Sequence, residues 1–413
     1  MNKPILNFDI VISGAGSIGL VTALLLAKRD LNIAIIDPKP ENIITKVDDT
    51  RNIALMQPSL NVLKYLGIFD EFLSLSRPLR KLHIVDATNR LLRAPEVVFT
   101  AQEVGYDYFA LNIPMGKILQ TLCAQLPNHK NITTIFGNEI KHIEQRPKAL
   151  EIELKDNTKL TSKLLIGADG RNSFARTSAK ITTSTKTYPQ TALGFAFKHT
   201  RDLGDTSVEF HRKNGPFTLI PMQNLSDSSQ TSLVWSESNQ MAAEIKQYPQ
   251  EKIAVLIEKY TNGIVGEVTE IGFIAGFPLT NTNCSTYAQN RTILVGEAAH
   301  ILPPIGAQGM NLGFQDAAIA DELIGNVLNE NSGSGADIGS DQMMQLYNQH
   351  RKTDISARGK ATDLLNISLL SNLLPVQFAR GLGLFMLQSS KFLRTSIMKK
   401  ALHPLGKTPA TMR

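Results

Sequence analysis

Three glycines, Gly14, Gly16 and Gly19, stand between a β-branched run, Phe8 to Ser13, and a helix-forming run, Leu20 to Lys28. At such a junction the first glycine makes a tight turn and the second lets a diphosphate reach the backbone N–H groups of a helix N-terminus. The third lets helix and strand pack closely. Asp37 follows 18 residues after Gly19, at the end of a second short strand that begins at Asn32. Its carboxylate is placed to accept hydrogen bonds from an adenosine ribose. The chemistry offered is the holding of an adenine dinucleotide. The competing account is a bare glycine turn, against which the strand, helix, second strand and terminal acid stand in register.

Three more segments carry the same logic. They are Asp49-Thr50-Arg51-Asn52-Ile53-Ala54-Leu55, then Gly167-Ala168-Asp169-Gly170 with Ser173 and Arg176, and then Gly296-Glu297-Ala298-Ala299-His300. The last continues through Pro303, Pro304, Gly306, Gly309, Met310, Asn311 and Gly313. In each, an acid or small residue ends a strand and a glycine or basic residue follows, as in loops gathered at the carboxyl edge of a parallel sheet. His300 has no Ser, Cys or metal-ligand partner at a telling spacing, so it reads as a structural or cofactor-packing residue. Walker A, HExxH, GxSxG and CxxC patterns are absent, as is a second GxGxxG for a nicotinamide nucleotide. Cys123 and Cys284 signal neither a disulfide framework nor a metal site, and a reducing compartment fits best.

The elements that position these residues follow from pattern. Alternating segments from Lys81 to Phe99 and from about Thr191 to Gly276 predict an antiparallel sheet. Residues 116–126 predict a helix, residues 132–136, 149–154, 163–168 and the run after Arg291 predict strands, and Met310 to Leu328 predicts a helix. Asn329 to Asp341 reads as a loose loop. The nucleotide-binding part is therefore split by the sheet part. Phe195, Phe197 and Trp235 lie on strands that either wall a substrate cavity or pack a core, and packing is favoured. The same choice holds for His211, Arg212 and Lys213.

With 413 residues, 42% hydrophobic and 19% charged, the chain has the composition of a folded globular protein of two or three domains. Ile10 to Ala27 carries no charge, yet its glycines and the preceding Asp9 argue against a signal or anchor. The net charge of +6 is unevenly placed. Residues 346–413 carry eleven Lys and Arg against Asp354 and Asp363, and no acid follows Asp363. Interleaved with Leu, Phe, Ile and Met, these cations suit an anionic lipid surface, or else an amphipathic helical tail completing the core or an oligomer interface.

On these four motifs and their order the chain resembles the flavoprotein aromatic hydroxylases, and among them the ubiquinone-biosynthesis hydroxylases acting on polyprenylated phenols. The resemblance covers most of residues 5–325. It implies a mixed α/β fold of the p-hydroxybenzoate hydroxylase kind: a Rossmann-like FAD-binding domain interleaved with an antiparallel β-sheet substrate domain, and a helical C-terminal tail. The FAD-binding domain would take residues 1–80, 111–180 and 284–345. The substrate domain would take 81–110 and 181–283, and the basic helical region 346–413.

By the same resemblance Gly14, Gly16, Gly19 and Asp37 hold the adenosine half of FAD, and Arg51 lies by the flavin. Asp169, Gly170 and Arg176 support the cofactor and nicotinamide access. Gly296 and Glu297 fall on the segment whose acid contacts the ribityl–phosphate region. Gly306, Gly309, Met310 and Asn311 place a helix N-terminus against the flavin pyrimidine, where oriented N–H groups stabilise the negative charge of reduced flavin. Pro303 and Pro304 fix the loop over the ring, since proline limits φ and supplies a free carbonyl; a rigid turn is the plainer account. The family usually has Asp where this chain has Glu297, which lengthens the reach by about 1.5 Å. It commonly reads Ala-Gly-Gln-Gly where this chain has Gly306-Ala307-Gln308-Gly309, an exchange that keeps the residues small.

The activity implied is FAD-dependent monooxygenation. NAD(P)H reduces the flavin, O2 adds to form a C4a-hydroperoxide, and oxygen passes to the ring of a polyprenylated phenol in ubiquinone biosynthesis. Besides that substrate and O2, the partners implied are a membrane surface and a ubiquinone-biosynthesis complex, with no nucleic acid and no metal. The location is cytoplasmic, peripheral at the inner face of the membrane. The alternatives are a flavin-dependent isoprenoid reductase or epoxidase, and a non-catalytic FAD-binding scaffold of a biosynthetic complex.

Overall fold

A computed structural model describes residues 4–45, 51–88, 93–223, 228–330, 336–371, 373–403 and 406–413. Asp49, the first residue of the D-x-R-x-x-A-L segment, lies outside the described residues, as do residues 331–335 of the stretch read as a loose loop.

The first sheet is built on five parallel strands in the order Ile132–Phe136, Ile33–Asp37, Leu6–Ser13, Lys159–Gly167 and Thr292–Leu294. Ile10, Val11 and Ile12 are all fully buried because both faces of this sheet are covered. Ile10 and Ile12 pack with the Ser17–Ala27 helix, while Val11 packs with the antiparallel strands Ile140–Gln145 and Leu150–Leu154. The uncharged run from Ile10 to Ala27 is thus a central strand, a turn and a buried helix. Among the described residues no single helix is long and apolar enough to cross a membrane.

The second sheet has nine strands around the long Thr183–His199 strand. One pair departs from the antiparallel expectation: Lys81–Asp86 runs parallel to Thr206–Arg212. The first of these strands enters the sheet over 100 residues before its partner, so no hairpin constrains its direction. A third, three-stranded sheet, Asn52–Met56, Ala110–Pro114 and Arg77–Leu79, was not foreseen.

Cross-strand register assigns the faces of the large sheet. Trp235 pairs with Leu193 on one side and Phe217 on the other, and Leu233 pairs likewise with Phe195 and Leu219. This face forms a core with Ala242, Ile245, Ile253 and Ile257 from two covering helices, and the Phe217 and Trp235 rings meet edge-on at 5.3 Å. Phe195, Phe197 and Trp235 are therefore packing residues. Arg212 is half-way to the same role, its guanidinium 3.3 Å from the centroid of the Tyr260 ring.

The Asp341–Leu370 helix belongs to the body: Tyr347, Arg351, Asp354 and Ile355 are buried. Arg351 Nε donates to Asp316 Oδ1 at 2.6 Å, and both side chains are fully buried. Asp316 Oδ2 also accepts from the Gly296 amide at 2.8 Å and faces His300 Nε2 at 2.7 Å. Burial alone would push the Asp316 carboxyl up, but Arg351 and His300 outweigh it and hold it below its ordinary value. Its contribution to stability is therefore complete above the ordinary carboxylate range and is lost as pH falls through the lowered value. Replacing Asp316 by Asn leaves Arg351 charged and buried with only Asp354, at 3.5 Å and shared with Arg358, as a counter-charge. The expected loss is about 3–5 kcal/mol, measured by denaturant unfolding at pH 7; a variant as stable as the parent would show that the pair does not hold the helix.

Candidate active site

The glycine turn, the Asp169 loop and the Gly296 loop meet at the carboxyl ends of the parallel strands. Gly14 donates to Ile36 O at 2.7 Å, Ala168 to Ser13 O at 2.7 Å and Val295 to Gly167 O at 2.9 Å. Gly14 has φ +105, and a Cβ on Gly19 would overlap the Gly14 carbonyl oxygen, so neither position admits a side chain. Gly16 is different. It is exposed between buried residues, and a Cβ there meets nothing within 4 Å. The helix that starts at Ser17 has no side-chain cap and no acid in its first turn. Its first N–H groups thus face open space through a position that only a glycine leaves clear, which fits a diphosphate.

Asp37 ties into this turn, its Oδ2 accepting from the Ala15 amide at 2.7 Å and its Oδ1 from Lys39 at 2.8 Å. Asp169 is turned inward. It accepts from Ser173 Oγ at 2.5 Å and the Ala175 amide at 3.0 Å, so its carboxylate orders the turn that follows its strand. Gly170, beside it, takes φ +76. Arg176 Nη1 donates to Ala298 O at 3.0 Å and Nη2 to Arg171 O at 2.9 Å, which binds the Asp169 segment to the Gly296 segment.

In the run from Arg291 to Ile301 every residue is buried except Glu297. The Glu297 carboxylate has no hydrogen bond or ion pair among the described residues, so it is available to a ligand. Gly296, with φ +61, lies against Ile18 of the first helix, and a Cβ on Gly313 would come within 2.7 Å of the same Ile18. Ile18 thereby brings the first and last motifs into contact.

The Pro303 carbonyl is already engaged. It accepts from the Ile305 amide at 2.7 Å, which uses one of its two lone pairs to tighten the loop. The Gly/Ala exchange in the next residues also has a consequence that composition hides. Gly306 has φ +67 and Ala307 has φ +53, which places an alanine in the left-handed region at a cost of about 1–2 kcal/mol.

The Gln308–Glu330 helix begins there, with no acid in its first turn, and a Cβ on Gly309 meets nothing within 4 Å. Met310 packs against the core of the first sheet. Asn311 is saturated: its Oδ1 accepts from the Met56 amide at 2.9 Å and Ser59 Oγ at 2.7 Å, and its Nδ2 donates to Ala54 O at 2.9 Å and Ala307 O at 2.7 Å. Its side chain fastens the helix start to the Asn52–Met56 strand, and the amides that helix geometry leaves without a partner are those before it, at Gln308, Gly309 and Met310.

Arg51 reaches the large sheet, with its guanidinium 4.8 Å from the Phe277 ring centroid and its Cδ 3.7 Å from a Cβ built on Gly194. Gly194 pairs with Val234, which pairs with Thr218. Arg51 therefore looks onto the face opposite the aromatic core, to which the long central strand contributes the small residues Ala192, Gly194 and Ala196. Sequence reasoning missed this face, because alternation shows that residues alternate but not which set meets the other sheet. It also missed Asp316 and Arg351; the signal available was the spacing of Tyr347, Arg351 and Ile355 along one helical face.

Residues 7–353 match the family model described as FAD binding domain. The chain is 28% identical over 398 residues to 3-demethoxyubiquinol 3-hydroxylase of Escherichia coli, covering 95% of this chain and 98% of that protein. It is 27% identical to ubiquinone hydroxylase UbiL of Rhodospirillum rubrum, covering 98% and 92%. The crystal structure of PqsL, a probable FAD-dependent monooxygenase from Pseudomonas aeruginosa, superposes with a TM-score of 0.76 at 19% identity, covering 92% of this chain and 99% of that one.

Gly16→Ala and Gly19→Ala should separate cofactor holding from folding. The first leaves urea unfolding of the flavin-free protein within about 0.5 kcal/mol of the parent yet weakens FAD binding at least about tenfold. The second destabilises the fold itself. Equal FAD affinity in Gly16→Ala, by fluorescence titration, would remove the diphosphate from the Gly16 opening.

Proposed function

Because the chain belongs to the FAD binding domain family over residues 7–353, we propose that it is an FAD-dependent monooxygenase hydroxylating the ring of a polyprenylated phenol in ubiquinone biosynthesis, with NAD(P)H and O2 as co-substrates. The observation that carries this reading is the matching of two ubiquinone-pathway hydroxylases over nearly their whole lengths. It is joined to a site whose open positions, Gly16, Glu297 and the first turn at Gln308, lie on three loops held together. Neither the reductase or epoxidase reading nor the scaffold reading has a comparable support.

Bound FAD supplies the passage of reducing equivalents from NAD(P)H to O2. The chain's own residues bind and orient. The N–H groups at Gly16 to Ile18 take the diphosphate, Asp37 the ribose hydroxyls and Glu297 the ribityl segment. The N–H groups after Ala307 would hold the pyrimidine edge, favouring negative charge there. Arg51, with Phe277 and the Gly194 face of the large sheet, closes the side toward the substrate and excludes water. Asp169, Gly170 and Arg176 shape the approach used by the nicotinamide.

The substrate's polyprenyl tail would partition into a bilayer, and the C-terminal helices suit that surface. On Leu374–Ser389 the exposed residues Leu374, Phe378, Leu382, Phe385 and Met386 share one face at helical spacing. Phe392 on Lys391–Leu402 is 79% exposed, and Lys391, Lys399 and Lys400 are exposed beside it. Other cations of the tail have different duties: Arg380 pairs with Asp86 at 2.9 Å, Arg394 with Glu103 at 2.5 Å and Lys407 with Glu322 at 3.0 Å. They fasten the helices to the body and leave the apolar face outward.

The activity is tested with a prenylated phenol, NAD(P)H and oxygen-18 gas. The expected product carries one heavy oxygen in a new ring hydroxyl, and NAD(P)H oxidation without a hydroxylated product would refute the reading. Membrane seating is tested separately by flotation with phosphatidylglycerol vesicles, where Phe378→Asp with Phe392→Asp should lower recovery by at least about tenfold. Undiminished recovery would place the lipid contact elsewhere.

A further inference from the structure

We propose that Arg358 is a positioning residue for the flavin-facing loop, clamping Gln308 at the start of its helix to the C-terminal end of the Lys391–Leu402 helix. Its guanidinium makes four contacts. Nε donates to Asp354 Oδ1 at 3.1 Å, Nη1 donates to Gln308 Oε1 and to Ala401 O at 3.3 Å, and Nη2 donates to His403 O at 2.8 Å. Gln308 Nε2 in turn donates to Gly306 O at 2.9 Å, so this amide is held from both ends.

Packing alone does not hold the loop. A cavity of about 20 Å³, room for one water, lies behind the first turn, walled by Gln308, Asn311, Gln315, Arg358, Leu402 and Met412. The two residues before Gln308 are both in the left-handed region, and Ala307 leaves it readily unless its neighbours over-determine it. The planar fork of Arg358 meets that need because it reaches acceptors on two elements at once, which a lysine ammonium on a flexible stem does not do. Asp354 also faces Arg351 at 3.5 Å, so the clamp is continuous with the pair that holds the Gly296 loop. Both flavin-facing loops therefore hang from one face of the Asp341–Leu370 helix.

The inference rests on the chain's holding of FAD and on neither the substrate nor the membrane reading. Full-length holoprotein is prepared with Arg358→Lys, Arg358→Met and Gln308→Met, and the reduction potential and dissociation constant of bound FAD are measured without substrate or vesicles. A loop no longer held should favour oxidised over reduced FAD by about tenfold, which for a two-electron couple is about 30 mV. Lysine should fail to restore the potential, and Arg358→Met with Gln308→Met should shift it no further than either alone. A side chain that only stabilises the fold would lower the unfolding midpoint and leave the potential alone. Gln308→Met keeps the Asp354–Arg351 contact, so it carries the test if Arg358→Met does not fold. A parental potential in FAD-bound Gln308→Met, or full rescue by Arg358→Lys, overturns the proposal. Failure of the parent to bind FAD would instead strike at the cofactor reading.

Discussion

The buried contact between Asp316 and Arg351 is the constraint on which the site depends. Two charges are removed from water, which is favourable only where geometry and further hydrogen bonds compensate. Here the compensation comes from the site itself: the Gly296 amide and His300 complete the carboxylate. The arrangement gives the Gly296 loop a fixed height above the sheet and gives His300 a structural duty. Arg351 with Asp354, and Asp354 with Arg358, carry the alternation of sign onward to the start of the Gln308–Glu330 helix.

The dinucleotide half of the fold was legible because its determinants are local. A β-branched run, three glycines at fixed spacing and an acid eighteen residues on specify a strand, turn, helix and second strand without help from distant residues. The structure adds why Gly14 and Gly19 are needed by the fold, and shows that Gly16 is not, since a Cβ there meets nothing of the chain within 4 Å. The Asp316–Arg351 pair was not legible. Arg351 is followed by exposed Lys352 and Lys360 in a stretch whose charge sum reads as a solvated tail, and its partner is 35 residues away on another helix. Arg380 and Arg394 mislead in the same way, since Asp86 and Glu103 lie almost 300 residues earlier. Charge counted along a sequence says nothing about acids supplied by another part of the fold.

The large sheet shows a second kind of illegibility. Alternation sorts Leu193, Phe195 and Phe197 from Ala192, Gly194 and Ala196, but which set meets the cofactor domain is decided by register and by Arg51. Aromatic residues attract attention as candidates for a cavity wall. Phe195, Phe197 and Trp235 lie on the far side, under the helices, where a close-packed core needs bulk, while the same strand turns Ala192, Gly194 and Ala196 to the site side, where Phe277 supplies a ring beside Arg51. Ala307 is a third kind. Exchanging neighbouring Gly and Ala conserves composition and size, yet the backbone angle at that one residue turns the swap into local strain.

Ile18, pressed against both Gly296 and Gly313, carries one more implication. Its partners are made almost 300 residues after it, and the helix bearing Arg351 later still, so the cradle does not exist while most of the polypeptide is still emerging from the ribosome. Contacts of such long sequence separation close slowly. Flavin capture therefore waits until the segments bearing Gly313 and Arg351 have been made and have folded back onto the first helix.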